Sequence, residues 1–468
     1  MSGLYASLNN SVLALSAQSR ALELAGKNLA NVNNTSYARQ RVVFGDLGTV
    51  QTPIGPESMG LQAIGVEQLR DALLDKQVMR ESSLSAYHQA QQNAYQRAQA
   101  GLGQNISGTN ATSTSSSTSD TGIGAALDDL FNSFQSLAAS PTDSGQRQAL
   151  LQNAAILTDR LRLTDQRLGQ VQSDINSQIA SDVSTVNGLL QNVADLNAQI
   201  GRMEINHPGA AVDLRDQRQA LLEQLSAKLP VTVSNLPGGQ VQVSATDGGG
   251  SPVVLVNLAT VVNTVAFNGT QLTAGASTLA PTSGSIQGNL AARDGAIQTL
   301  RDGLDLLASQ LVTAVNAVYN PTGTTGDFFV ASGTTAGTIA VDPSVTATNL
   351  KASDGGAAGD NSVALAVAQL ATRQFSTGSG DQIDGTLISF YSSHVSGLGQ
   401  ALAGANSQVT NQSGIEQLVR SQRDGVSGVS LDEEMADLLK YQRAFQASSR
   451  VFSTIDGLLE VVVNQLGR

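Results

Sequence analysis

Leu431, Leu438, Phe445, Phe452, Leu459 and Leu466 follow one another at seven-residue intervals without a slip. Met435, Tyr441, Ile455 and Val462 sit three or four residues from them, so the stripe is wide enough for a coiled-coil or bundle contact. Ser430 and Glu433 have the spacing of a capping box that marks where this helix begins. From Leu431 to Leu466 it would run about 50 Å at 1.5 Å per residue. An isolated helix is marginal in water, and six large seam residues, each contributing about 1.5 to 3 kcal/mol when buried, gain nothing while exposed. The segment therefore requires a partner helix.

The same chain offers one. Between Leu4 and Ala30, the residues Leu8, Val12, Leu15, Leu22 and Leu29 recur at helical spacing in a polar background. The two ends are expected to pair, with the middle of the chain inserted between them. Ser19 and Gly26 interrupt the N-terminal stripe, so the C-terminal helix is expected to form the inner, more continuously packed layer. The N-terminal helix should stop at Asn31–Asn34, where clustered Asn side chains compete for backbone hydrogen bonds.

Composition narrows the function classes. The 468 residues are long enough for two or three domains, and 41% hydrophobic content supplies real cores. Cysteine and tryptophan are absent, which excludes disulfides, thiolate metal sites and cysteine nucleophiles. With 26 basic against 38 acidic residues and no long run of like charge, nucleic acid and anionic membrane are poor partners. No apolar stretch reaches the length of a membrane span. Met1–Leu8 lacks the basic start and apolar core of a cleavable signal peptide, so export would use another route.

The expected fold class is mainly α with β insertions: paired terminal helices forming a coiled-coil-like rod, a long helical bundle domain, and small β-rich inserted regions. Residues 1–44 form the N-terminal assembly helix and turn, pairing with 426–468. Helical rod segments occupy 45–229, 286–319 and 361–425, with helix expected throughout Leu61–Ala100 and in separate pieces over Leu150–Leu163 and Gln170–Met203. Val231–Val233 and Val241–Val243 alternate around Pro237–Gly239, which predicts a β-hairpin in a β-rich insertion over 230–285. A second, small β-rich insertion is expected over 320–360, from Phe328–Val330 and Ile339–Val341. The Ser/Thr/Gly tract Gly101–Thr121 reads as a loop.

Several motifs then carry a resemblance. Leu22–Val32 followed by Tyr37-Ala38-Arg39-Gln40 is similar to the pattern of bacterial flagellar axial proteins, with Ser36 where that pattern has Gly. Val429–Met435 with Tyr441–Ser448, together with the interior stretches Phe134–Leu151, Asp213–Leu225 and Asp360–Ser362, resembles the flagellar hook-associated protein family that forms the first hook–filament junction zone. The resemblance implies a structural subunit, not an enzyme and with no cofactor. It would be exported unfolded through the flagellar type III apparatus, with an export chaperone at the C-terminal helix. Its other partners would be further copies of itself in a ring, the hook protein and an adjacent hook-associated junction protein. Termini that order against neighbours would couple folding to assembly.

The assembly interface is expected at Leu8, Val12, Leu15, Leu22, Leu29, Leu431, Met435, Leu438, Tyr441, Phe445, Phe452, Ile455, Leu459, Val462 and Leu466. Tyr37, Arg39 and Gln40 read as inter-subunit contacts or as turn residues. Nothing matches a catalytic, metal or cofactor site. His88, His207 and His394 are isolated, Gly122–Gly124 lacks a dinucleotide fingerprint, and Asp128-Asp129 and Glu433-Glu434 sit at helix starts, where acids favour the dipole. Another axial subunit is the nearest rival reading, and a secreted adhesin-like module a more distant one.

Overall fold

The first helix, α1 (Ser2–Ala30), ends where side chains begin to compete for its carbonyls. Asn31 Nδ2 donates to the Lys27 carbonyl at 2.9 Å, and the Ser36 N–H donates to Asn34 Oδ1 at 3.2 Å, which turns the chain out of the helix. The protein is described by a computed structural model covering residues 2–46, 48–52, 55–58, 60–103, 122–323, 326–355 and 359–465. Most of the Ser/Thr/Gly tract, over 104–121, and Leu466 of the seam lie outside the described residues. Two compact units comprise Met1–Ser85 with Val183–Gly284 and Gln412–Arg468, and Ala86–Asp182 with Ser285–Asn411.

In the first unit, β1 (Gln40–Asp46) pairs antiparallel with β4 (Leu61–Gln68), and β2 (Thr49–Thr52) with β3 (Gly55–Ser58) between them. The helix expected from Leu61 therefore starts only at α2 (Ala72–Leu102). Leu61–Gln68 has alternation enough for a strand, and Val42 opposite Val66 gives it an apolar pair that a helix would lack. Ala21 and Leu24 of α1 pack on Val42, with Phe44, Ala63 and Val66 around them.

α4 (Ser144–Glu204) is one unbroken helix, where two pieces were expected. Leu157, Leu161, Leu168, Ile175 and Ile179 are fully buried along it, so packing carries it through the polar stretch between. The predicted hairpin is present: β5 (Thr232–Asn235) pairs with β6 (Val241–Thr246), continued by β7 (Pro252–Asn257) and β8 (Thr260–Val261). Gly239 at its turn has φ +73°, and a Cβ there would lie 2.2 Å from the Glu204 carboxylate, so only glycine fits. β9 (Val265–Phe267), β10 (Leu272–Ala274) and β11 (Ser277–Leu279) form a second small sheet. The buried Asn197 of α4 bonds the carbonyls of Val241 and Leu258 and the Val241 N–H, tying the first sheet to the helix. α5 (Val212–Lys228) and α10 (Leu431–Gln465) complete this unit's main elements.

The second unit is helical, with α3 (Ile123–Ala139), α6 (Gly284–Ala292), α7 (Gln298–Tyr319), α8 (Ser362–Gln369) and the start of α9 (Leu387–Ser427). The segment expected as a β insertion over 320–360 shows one isolated bridge, Phe329 to Val341, among its described residues. Phe328 and Phe329 instead plug the helical core. Phe328 stacks against Phe134 at 5.2 Å and Tyr319 at 5.4 Å, and the Asn316 amide takes up the backbone groups a strand partner would have bonded.

Candidate functional site

The two terminal helices run along each other within the first unit. α10 turns Leu438, Tyr441, Phe452, Ile455, Leu459 and Val462 inward, half-buried or buried, as the three-and-four spacing requires. Leu431, Met435 and Phe445 are exposed, as are Leu439, Val451, Leu458 and Val461 off the seam. On α1, Leu8, Leu15, Leu22 and Leu29 are half-buried and Val12 is exposed. α1 also buries Ala17, Ala21, Leu24 and Ala25, because the β1–β4 hairpin covers its other flank. Within one chain, then, the N-terminal helix is the more fully covered of the two.

Where the helices meet the turn after α1, a polar network fastens them. The buried Asn28 donates to the Gln40 carbonyl at 2.8 Å and to Glu434 Oε2 at 3.0 Å. Its Oδ1 accepts the Tyr37 hydroxyl at 2.7 Å and the Gln40 N–H at 3.2 Å. The Arg39 guanidinium faces three carboxylates in the first turns of α10: Glu434 at 2.6 Å, Asp437 at 3.4 Å, and Glu433. Burial alone would lower the pKa of Arg39, but Glu434 and Glu433 hold it above the ordinary value. Glu433 is thus spent on Arg39, and Ser430 offers its carbonyl to the Glu434 N–H, where the sequence suggested a reciprocal cap between Ser430 and Glu433.

A second layer braces the first. Gln40 Nε2 donates to Asp213 at 2.9 Å, and Lys27 reaches the same carboxylate at 2.5 Å. Burial pushes the Asp213 carboxyl up, but Lys27 and Gln40 more than offset this and leave it below its ordinary value. Arg70 bridges Asp75 at 2.9 Å and Asp216 at 2.6 Å, and it bonds the Ser36 carbonyl at 3.1 Å. Burial raises the pKa of both Asp75 and Asp216 despite Arg70. The Tyr37 hydroxyl is likewise raised, by burial first and then by Asp216, Asp213 and Glu434. Ser36 needs no left-handed backbone here, since Leu258 is the one non-glycine with positive φ among the described residues.

Tyr37 and Gln40 are therefore buried within the chain, and Arg39 is engaged by α10 of the same chain. Lys27, Asn28, Arg70, Asp213, Asp216 and Asp437 were not singled out from the sequence, and Glu434 only as an acid at a helix start. Their signal was positional: Lys27, Asn28, Asp213, Asp216 and Glu434 all lie inside the motif stretches quoted above. His88 stacks edge-on against Tyr87 and His394 packs on Phe390, while His207 follows α4. No cluster of three or more metal-ligating side chains occurs among the described residues.

Known proteins resemble this chain in two stretches and, for one relative, from end to end. Residues 109–329 match the family described as flagellar hook-associated protein FlgK helical domain, and residues 421–466 match flagellar basal body rod FlgEFG protein C-terminal. Flagellar hook-associated protein 1 of Bacillus subtilis is 26% identical over 100% of this chain and 99% of its own length. The Escherichia coli protein of the same name is 27% identical over 52% of this chain and 42% of its own length. The solved flagellar hook junction protein FlgK from Burkholderia pseudomallei overlaps 55% of this chain and 46% of its own at 22% identity and a TM-score of 0.45. A helical middle of one hook-associated type, a C-terminus shared with axial proteins and an end-to-end relative point the same way: the chain is similar to the flagellar hook-associated proteins along its whole length.

Proposed function

We propose that the chain is a structural subunit of the bacterial flagellum that forms the junction between hook and filament by self-assembly through its terminal helices. The observation that carries this reading is the apolar surface α10 retains after α1 has covered one side of it. Leu431, Met435, Leu439, Val451, Leu458 and Val461 are each about half exposed, at 46 to 55%. A monomer gains nothing from such a surface, whereas neighbouring copies packed beside it bury it.

In this reading residues 1–44 and 426–468 act as one assembly module, with the C-terminal helix as the inner layer once neighbours are in place. The partners are further copies, the hook protein and the next junction protein, with an export chaperone holding α10 before assembly. Export through the flagellar type III apparatus and a non-enzymatic role belong to the same proposal. The C-terminal match to rod proteins would suit any axial subunit, and the helical-domain match over 109–329 favours the junction. Electron microscopy of hooks from a deletion strain tests it: hooks that release flagellin without carrying filaments are expected, and normal filaments would refute the role.

A further inference from the structure

Arg218 is a buried cation with no acidic partner. It lies on α5, 93% buried, and its Nη1 donates to Asn197 Oδ1 and to the Gly239 carbonyl, both at 2.8 Å. Both acceptors are neutral. No carboxylate lies within salt-bridge distance of it among the described residues, and its Nε and Nη2 find no protein acceptor there. Glu204, the acid whose charge reaches Arg218, is already held bidentately by Arg215, at 2.9 and 2.6 Å. Burial, and then the Arg215 cation, push the Arg218 pKa down to about 10.

Arg218 lines a cavity of 640 Å³ in the first unit, together with Arg70, Lys76 and Arg215. The acids on its wall have cations of their own: Glu67 pairs with Arg41, and Asp75 with Arg70. The Nε of Arg70 is also buried without an acceptor. Met79, Leu222, Val233 and Val241 supply an apolar floor. An open cleft of this size, with apolar side chains beside a few convergent charges, is within the range of volumes that ligand sites take. The free Nε–Nη2 edge of an arginine is a planar two-donor fork that matches the two oxygens of a carboxylate.

We propose that this cavity binds a carboxylate carried on a short apolar body, with the Nε–Nη2 edge of Arg218 as the anion receptor. The same chemistry is offered by a small organic acid and by an acidic side chain of a second copy. Leaving a buried cation unpaired is costly, and an incoming carboxylate removes that cost along with the apolar exposure of the cavity wall.

Benzoate and its neutral isostere benzamide, titrated into the full chain by calorimetry and followed by melting temperature, test the site. Saturable benzoate binding with a concentration-dependent rise in Tm is expected, with no response to benzamide. Arg218→Gln should abolish it. Because Arg218 also braces the hairpin turn, Asn235→Asp serves as a second variant. It adds one negative charge on the exposed rim without changing volume, and should weaken benzoate about threefold to tenfold. No saturable binding, equal binding of benzamide, or full affinity in both variants overturns the proposal. Sedimentation distinguishes the sources: if benzoate and Arg218→Gln both reduce self-association, the carboxylate belongs to a second copy, and if self-association is unchanged, to a free molecule.

Discussion

Asn28 has two donors and two acceptor lone pairs on its side-chain amide, and the fold uses all four. Substituting Asn28→Ala removes none of the partners, so the buried Gln40 backbone groups and Glu434 lose theirs. Such an orphaning costs about 1 to 3 kcal/mol for each buried group. Chemical denaturation of the isolated chain should show a loss in that range, with hydrogen exchange at 431–441 accelerated more than in the second unit. Arg39→Ala strands the buried Glu434 carboxylate, and a loss of about 3 kcal/mol is expected. The Lys27–Asp213 pair gives a pH signature of the opposite sign to Asp216. Asp213 is lowered, so its contribution is present above the unfolded value of 3.8 and is lost as pH falls through the folded one. Asp216 is raised, so its contribution is present below 3.8 and is lost as pH rises through the folded value. Asp213→Asn should therefore flatten the acid side of the stability profile, while Asp216→Asn should improve relative stability near neutrality. Paired denaturation curves across pH separate the two.

At the scale of elements, the two faces of α10 have different work. Phe452 is half-buried, whereas Phe445 is 37% exposed. Phe452→Ala is expected to loosen α10 in the isolated chain by about 1 to 2 kcal/mol, below the range for a fully buried Phe because its burial is partial. Phe445→Ala should stay within about 0.5 kcal/mol of the parent in isolation yet reduce filament attachment in cells. Equal stability losses from both would remove the distinction between an inner and an outer face. The periodicity of α10, the Asn stop of α1 and the hairpin about Pro237–Gly239 were all legible in the sequence, because each is set by neighbours within a few residues. Leu61–Gln68 was misread because Leu61, Ile64 and Val66 suit a helix as well as a strand, and only the pairing with Gln40–Asp46 decides. The members of the network at Asn28 lay inside the motif stretches, but which of them pair was not readable there. Asp213 and Glu434 lie 186 and 406 residues from their partners, and such pairings carry no spacing to read.

At the scale of the whole molecule, the second unit has a core of its own, in which Phe134, Tyr319, Phe328 and Phe329 pack on one another. Deleting residues 428–468 should leave hydrogen-exchange protection over 123–139 and 298–319 unchanged while abolishing it over 4–30. Loss of protection in both regions would show that the units melt together. The four bonds of Asn28 also join segments of very different separation. Three of them reach Tyr37 and Gln40, within 12 residues of it, and the fourth reaches Glu434, 406 residues away. The amide therefore registers whether α10 has docked: until Glu434 arrives, one of its buried donors stays open.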